Sequence, residues 1–449
     1  MRKNGQVCGF AGSSQVAAGL SLLSLMLVSG MRLGAQTDPG IRGGPAGAGQ
    51  AIAGLTAGEL DFFNNHGVPQ FGQVEAVADG LGPRFNLDSC GGCHIHPAMG
   101  GSSPPHNNPQ VTRASTMAPG NTVPSYLTLD GPVREVRFVK NPDGSPDGGV
   151  HDIFTIAGRS DTPVGCAISQ PDFSNTANII FRIPTPTFGA GLIEAITGTT
   201  IRTNLASDPF GLKALLGIRG HVNTNGNDGT VTRFGWKAQN KSLLIFAGEA
   251  YNVEMGVTNE NFPNEREENP NCAKSGTPEN HSGFNVGSTD PADIVSFMGF
   301  MKFLDQPQPA CGGTGEPTCD SVNEGRTAFS LIGCALCHTP SLQTGSSATS
   351  ALDHKAANLF SDLAVHRMSS GLADGVMQGS AGPDEFRTAP LWGVGKRAFF
   401  LHDGRTQDLL QAIHAHRGSG SEANLVIDGF DFLLTTQQKQ DILNFLRSL

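Results

Sequence analysis

The chain is poor in charge and in aromatic rings: only 16% of its 449 residues are Asp, Glu, Lys or Arg, and it holds 2 Trp and 2 Tyr. Basic residues are outnumbered 30 to 40, and the formal charge of −10 excludes nucleic acid or an anionic lipid surface as the main partner. Long apolar runs are scarce as well. The longest, VAAGLSLLSLMLV at residues 16–28, is shorter than the roughly 20 residues a membrane-spanning helix needs. Arg2 and Lys3 precede it and the small pair Gly34-Ala35 follows, so residues 1–35 read as a signal peptide. A periplasmic or secreted protein without an integral membrane segment is expected after cleavage.

Cysteine is also sparing, with 9 in the chain, yet its placement is the strongest signal present. The pattern Cys-x-x-Cys-His occurs at Cys90/Cys93/His94 and again at Cys334/Cys337/His338. In this pattern two thiols add to the vinyl groups of a haem and the histidine ligates its iron. Random placement of these residue types would yield the pattern about 0.005 times per chain, so two copies predict two covalently attached c-type haems. A zinc site built from four thiolates is the rival. It fits less well, because the two pairs lie far apart, each is followed at once by His, and export exposes free thiolates to oxidation.

Cys8 leaves with the signal peptide, and Cys166, Cys272, Cys311 and Cys319 remain as candidates for disulfides. The short Cys311–Cys319 loop suggests a local bridge, which leaves Cys166 with Cys272. Four cysteines nevertheless allow three pairings, and spacing alone does not choose among them.

Abundant Gly (59) and Pro (28) point to a loop-rich fold. Residues 36–55 are Gly, Ala, Pro and Gln without periodicity and read as a flexible linker. Thr56-x-x-Glu59 is a capping box that opens a short helix before the first haem motif. Ser321-x-x-Glu324 is read the same way ahead of the second, and Thr435-x-x-Gln438 starts the last helix, where Ile442, Phe445 and Leu446 share a face. Asp290-Pro291 starts another helix that stops before residues 305–307. These signals predict a mainly α fold of two class I cytochrome c-like haem domains, residues 56–307 with insertions and 320–449, joined by long loops.

An internal repeat relates the two halves. Pro186, Phe188, Gly189 and Gly191 match Pro390, Trp392, Gly393 and Gly395, each set preceded by Phe-Arg, at Phe181-Arg182 and Phe386-Arg387. Trp236 lies seven residues before Leu243, as His402 lies seven before Leu409.

The segments FRTAPLWGVGKRAFFLHDGRTQDLLQAIHAH (386–416), FSDLAVHRMSSGLADG (360–375), RFGWKAQNKSL (233–243) and EMG (254–256), with both haem motifs, resemble the bacterial di-haem oxidoreductases. That family is related to the di-haem cytochrome c peroxidases and to the di-haem enzymes that mature amine dehydrogenases. The resemblance implies roles by position. His416 would be the second axial ligand of the C-terminal haem, opposite His338, with His414 and Met368 as alternatives. Glu254 would be the distal acid over the N-terminal haem, ligated by His94, and Trp236 would stand between the haems.

The same resemblance implies peroxide reduction at the N-terminal haem with electrons arriving through the C-terminal one from a small redox protein, and a calcium ion between the domains. Departures from the pattern are also visible. Phe246 stands where the peroxidases carry a distal Gln, and Gln110 where some of them carry a displaceable His. His96 and His106 are weaker candidates for a resting ligand, and His366 with Arg367 for a contact to a haem carboxylate. Two other function classes remain in view: a pure electron-transfer cytochrome, and an oxidase of a partner protein or organic substrate.

Overall fold

In the computed structural model, residues 36–449 are described apart from 83–86, 118–122, 141–142, 146–158, 169–172, 174–175, 209, 266, 268 and 273–290. The expected signal peptide and Asp290 lie outside the described residues. The architecture is mainly helical with three small two-stranded antiparallel sheets. No helix among the described residues is long and apolar enough to cross a membrane.

Helix α1 (Ala57–Phe62) begins at the Thr56/Glu59 capping box and runs through a π turn at Phe63–Gly67 into α2 (Val68–Gly72). The first haem motif forms the single turn α3 (Cys90–Cys93), and α4 (Pro109–Met117) follows. Strands β1 (Glu135–Phe138) and β2 (Ile179–Arg182) pair with Glu135 opposite Arg182. Then come α5 (Ala190–Ala195), α6 (Gly198–Ala206), α7 (Leu212–Leu216), α8 (Leu243–Met255) and α9 (Asp293–Phe303).

The second stretch opens with α10 (Cys319–Leu331), and its haem motif lies in a 3-10 turn, Cys334–Leu336. Strands β3 (Leu342–Gln343) and β4 (Ala356–Ala357) pair, as do β5 (Val365–Arg367) and β6 (Glu385–Arg387). Helices α11 (Leu409–Ala415), α12 (Asn424–Leu433) and α13 (Thr436–Ser448) complete the chain. The Thr435/Gln438 capping box forms, and Ile442, Phe445 and Leu446 are buried.

Two predicted starts are corrected. Helix α10 begins before Ser321, at Cys319, with Thr318 at its N-cap, while the Ser321 hydroxyl bonds Asp441 and accepts from Asn444 Nδ2 at 2.8 Å. The polar side chain that resembled a cap is recruited across the helix pair. Helix α9 starts at Asp293 without a side-chain cap.

Glycine allows close crossings in both stretches. A Cβ at Gly67 would come within 3.1 Å of the Phe300 backbone on α9, and one at Gly325 within 1.9 Å of the Asp441 carbonyl on α13. Likewise a Cβ would meet the Lys302 carbonyl at 2.0 Å from Gly191, and the Arg447 carbonyl at 2.0 Å from Gly395. Each glycine therefore lets a helix lie against another backbone.

Residues 36–55 do not behave as a free linker. Asp38 is bound by Arg447 through two contacts of 2.7 Å and accepts from the Leu409 amide at 2.7 Å; Lys396 Nζ donates to the carbonyls of Gly43 and Gly44, both at 2.7 Å. The Ile52 amide reaches the Phe303 carbonyl at 2.7 Å. The segment lacks periodicity because it is an irregular strap whose backbone polar groups are satisfied by neighbours one by one. Packing also crosses the expected boundary, since the larger core cluster includes Leu342, Leu352, Leu359, Leu363 and Trp392.

Both disulfides form within the proposed set: Cys166 with Cys272 and Cys311 with Cys319. Cys90, Cys93, Cys334 and Cys337 stay as free thiols.

Candidate functional site

The four free thiols open onto two cavities, each with a motif histidine in its wall. The first holds about 1050 Å³ of empty space and is lined by Cys90, Cys93 and His94; the second, about 1340 Å³, is lined by Cys334, Cys337 and His338.

Local hydrogen bonding builds the two turns alike. Ser89 caps the first turn by accepting from the Gly92 amide at 3.0 Å, and the His94 amide donates to Cys90 at 3.0 Å. Gly333, at φ 101°, starts the second, where the His338 amide donates to Cys334 at 2.9 Å. His94 Nδ1 then contacts the Gly101 carbonyl at 3.0 Å, and His338 Nδ1 contacts that of Phe360 at 3.0 Å. A carbonyl partner selects the Nδ1–H tautomer and leaves Nε2 free as a ligand. Burial lowers both imidazoles to about 4, so both are neutral, as ligation requires.

The cavities differ on the side facing these histidines. In the second, His416 stands opposite His338 with ring centroids 6.5 Å apart, its Nδ1 held by the Ala412 carbonyl at 2.8 Å. Burial keeps His416 below its ordinary range. It sits seven residues after Leu409, at the C-cap of α11; the residue seven after Leu243, on α8, is Ala250, which lines the first cavity. No histidine of α8 faces His94. The inequality was therefore legible in the spacing of the two helices, through an alanine that motif reading passes over.

One turn beyond Ala250, Glu254 lines the first cavity together with Phe246 and Ala247 of the same helix face. Its carboxyl is pushed up to about 8, first by burial and then by the charge of Glu135, with Arg137 opposing. Glu135 and Arg137 contact each other at 2.7 Å and also line this cavity. These two residues lie beside stretches that resemble no known pattern, which is why sequence reasoning missed them. Gln239, likewise missed, supplies a polar amide to the cavity wall where Phe246 supplies none.

The other candidates have partners of their own or a different place. His96 Nε2 contacts the Lys396 carbonyl at 2.8 Å, exposed His106 pairs with Asp130 at 2.9 Å, and His414 with Asp431 at 2.9 Å. None of them lines either of these two cavities. Gln110 lines the first cavity, but its amide is bound to the backbone of Arg134 at 2.8 and 2.9 Å. Met368 lines the second cavity. His366 reaches neither cavity: its ring is fixed between Asp362 and Glu422, both at 2.9 Å, and Arg367 pairs with Asp384 at 2.8 Å.

Trp236 borders both cavities, and its Nε1–H donates to the Ile183 carbonyl at 3.1 Å. In the second cavity Arg387 and Arg397 are both lowered to about 10 by burial, Arg387 also by the charge of Arg397. Neither has a carboxylate partner among the described residues, and Arg397 Nε finds no acceptor. A buried cation left in this way calls for an anion, and the carboxylates of a haem would supply it. Thiol pair, neutral histidine and cationic wall fit that group.

Residues 141–449 match a family model described as "Di-haem oxidoreductase, putative peroxidase". The chain belongs to that family. Among solved structures, this di-haem oxidoreductase shares a partial likeness with hydrazine synthase of Kuenenia stuttgartiensis, pressurised with 20 bar of xenon: 15% identity, TM-score 0.24, over 35% of this chain. The match covers 55% of the hydrazine synthase chain, so the di-haem oxidoreductase spans about half of that neighbour's length. No curated protein matches it.

Proposed function

We propose that the protein is a periplasmic di-haem c-type cytochrome that reduces peroxide at the first cavity with electrons delivered through the second. The observation that carries this reading is the pairing of His338 with His416 at 6.5 Å while Ala250 leaves the side opposite His94 without a ligand. Two cytochrome c-like units, related by an internal repeat, hold the haems through Cys90/Cys93 and Cys334/Cys337. A bound haem supplies one-electron redox chemistry at its iron.

The chain's own residues do the rest. His94 and His338 present neutral Nε2 atoms, and His416 closes the second site, so small molecules enter only the first. There Glu254 moves the proton: as a carboxylate it takes one from a peroxide oxygen and, as an acid, returns it to the other, so that the departing oxygen leaves as water. Two electrons and two further protons complete the reduction of one peroxide to two waters. Arg387 and Arg397 offset cofactor carboxylates. Asp374, a buried acid, is already paired with Arg182 at 2.8 Å and Lys237 at 3.0 Å, and no calcium ion is assigned to it.

The electrons come from a small redox protein. Helix α12 turns Val426 and Ile427 toward the second cavity and leaves Leu425, Phe432 and Leu433 exposed, an apolar face that favours such a partner.

The test is a ligand titration of the purified protein. One haem changes its absorption spectrum with cyanide or peroxide and the other does not, while the intact mass shows two haems bound. A spectrum that neither reagent changes would instead identify an electron carrier. Oxidation that proceeds only with a specific partner protein, and not with general donors, would assign the protein to the third class.

A further inference from the structure

The wall between the cavities contains a second ring besides Trp236. His402 lines the second cavity, and its ring lies 6.4 Å from that of Trp236 at 72°, edge to face. On its other side it stacks on Phe386 at 4.4 Å and 24°. The imidazole is 6% exposed. Burial holds it down to about 4.

The two rings occupy corresponding turns. Gly235 and Leu401, the residues just before them, both have left-handed backbones, at φ 84° and 68°. Phe234 bridges to Asn240, as Phe400 does to Thr406. For Gly this conformation is free, whereas for Leu it costs about 1–2 kcal/mol, so the turn that presents His402 is kept at a cost.

A single residue fixes the pair. The Ile183 carbonyl accepts from Trp236 Nε1 at 3.1 Å, and the Ile183 amide donates to the His402 carbonyl at 2.8 Å. From the other strand, the Arg387 amide donates to the Trp236 carbonyl at 2.8 Å. Lys237 ties the same turn to β6 by donating to the Glu385 carbonyl at 2.9 Å, with its ammonium 4.2 Å from the Phe386 ring centre.

We propose that Trp236 and His402 form a two-ring electron bridge, with His402 the half that belongs to the second cavity. The inference rests on the di-haem reading and deepens it: Trp236 alone borders both cavities, and His402 gives it a fixed aromatic contact on the side of the donor haem. In each passage one electron leaves the second cavity, whose cofactor is oxidised, and one arrives in the first, whose cofactor is reduced. No proton moves, because Trp236 keeps its N–H on Ile183 and His402 stays neutral.

The experiment uses the full haem-loaded protein, half-reduced, and follows redistribution of the electron between the two haems after a light flash. Both reduction potentials are measured separately. His402→Leu and His402→Gln slow the redistribution by an order of magnitude with both potentials and the second haem's low-spin spectrum unchanged, and His402→Phe, which keeps a flat ring, restores most of it. Wild-type redistribution in both His402→Leu and His402→Gln, beside a slow Trp236→Leu, overturns the pair and leaves Trp236 as the bridge. Wild-type redistribution in Trp236→Leu as well overturns the role of Trp236 together with the pair.

Discussion

His338 and His416 face each other across the second cavity with ring centroids 6.5 Å apart, a separation that leaves room for one metal ion between two nitrogens and little more. Replacing His416 by Ala converts this arrangement into that of the first cavity. We expect the His416→Ala protein to retain two haems, lose its bis-histidine low-spin signal, and bind cyanide at both sites. Electron paramagnetic resonance and a cyanide titration check this, and a second haem that stays low-spin would remove His416 as its ligand.

Glu254 gives the chemistry a pH signature. Its carboxyl, raised from 4.5 to about 8 by burial, holds a proton at pH 7, so the base form accumulates only as the pH rises through about 8. The peroxide reaction should accelerate across that range and become slow and pH-independent in Glu254→Gln. Stability moves the other way. Between 4.5 and about 8 the unfolded carboxyl has lost its proton and the folded one has not, so folding stability from this group declines as pH rises. Denaturant melts of the two proteins at pH 5 and 8 should differ in that slope.

The three-way ion cluster at Asp374 is a stability element. Asp374 and Lys237 have fully buried side chains and Arg182 is nearly so. Asp374→Ala leaves two buried cations without their carboxylate, and breaking a buried pair in this manner costs about 3–5 kcal/mol. The denaturation midpoint should fall accordingly, while Asp384→Ala, which frees the exposed Arg367, should shift it little.

How much was legible beforehand follows from the kind of signal. The two Cys-x-x-Cys-His turns and the capping boxes at Thr56 and Thr435 stand in local patterns, and Glu254, Trp236 and His416 in segments that carry a family resemblance; the structure forms both capping boxes and brings the two turns and the three residues to cavity walls. What local pattern could not reach was partnership across the chain. Asp38 finds Arg447, Ser321 turns from cap to cross-helix contact, and His366 is taken up by Asp362 and Glu422. Polar residues of this sort look alike in sequence whether they cap, ligate or brace, because only the tertiary neighbour decides. Glu135, Arg137 and Gln239 became visible for the same reason, once the fold set them against one cavity.

The two glycines packed against helix-end carbonyls offer a test of whether the two cavities respond independently. A methyl group at Gly191 would lie 2.0 Å from the Lys302 carbonyl of α9, and one at Gly395 would lie 2.0 Å from the Arg447 carbonyl of α13. In both places the obstacle is backbone, which can yield only by shifting the helix that carries it, and that helix lines a cavity. Overpacking of this kind costs about 1–3 kcal/mol, so Gly191→Ala and Gly395→Ala should each lower the melting temperature. The consequences for the sites should separate. Helix α9 carries Phe297 and Met301 into the first cavity, whereas α13 brings Leu446 into the second. Gly191→Ala should therefore alter cyanide affinity at the open haem and spare the low-spin spectrum. Gly395→Ala should perturb the low-spin haem first. Equal effects of both variants on both spectra would mean that the two cavities do not respond independently.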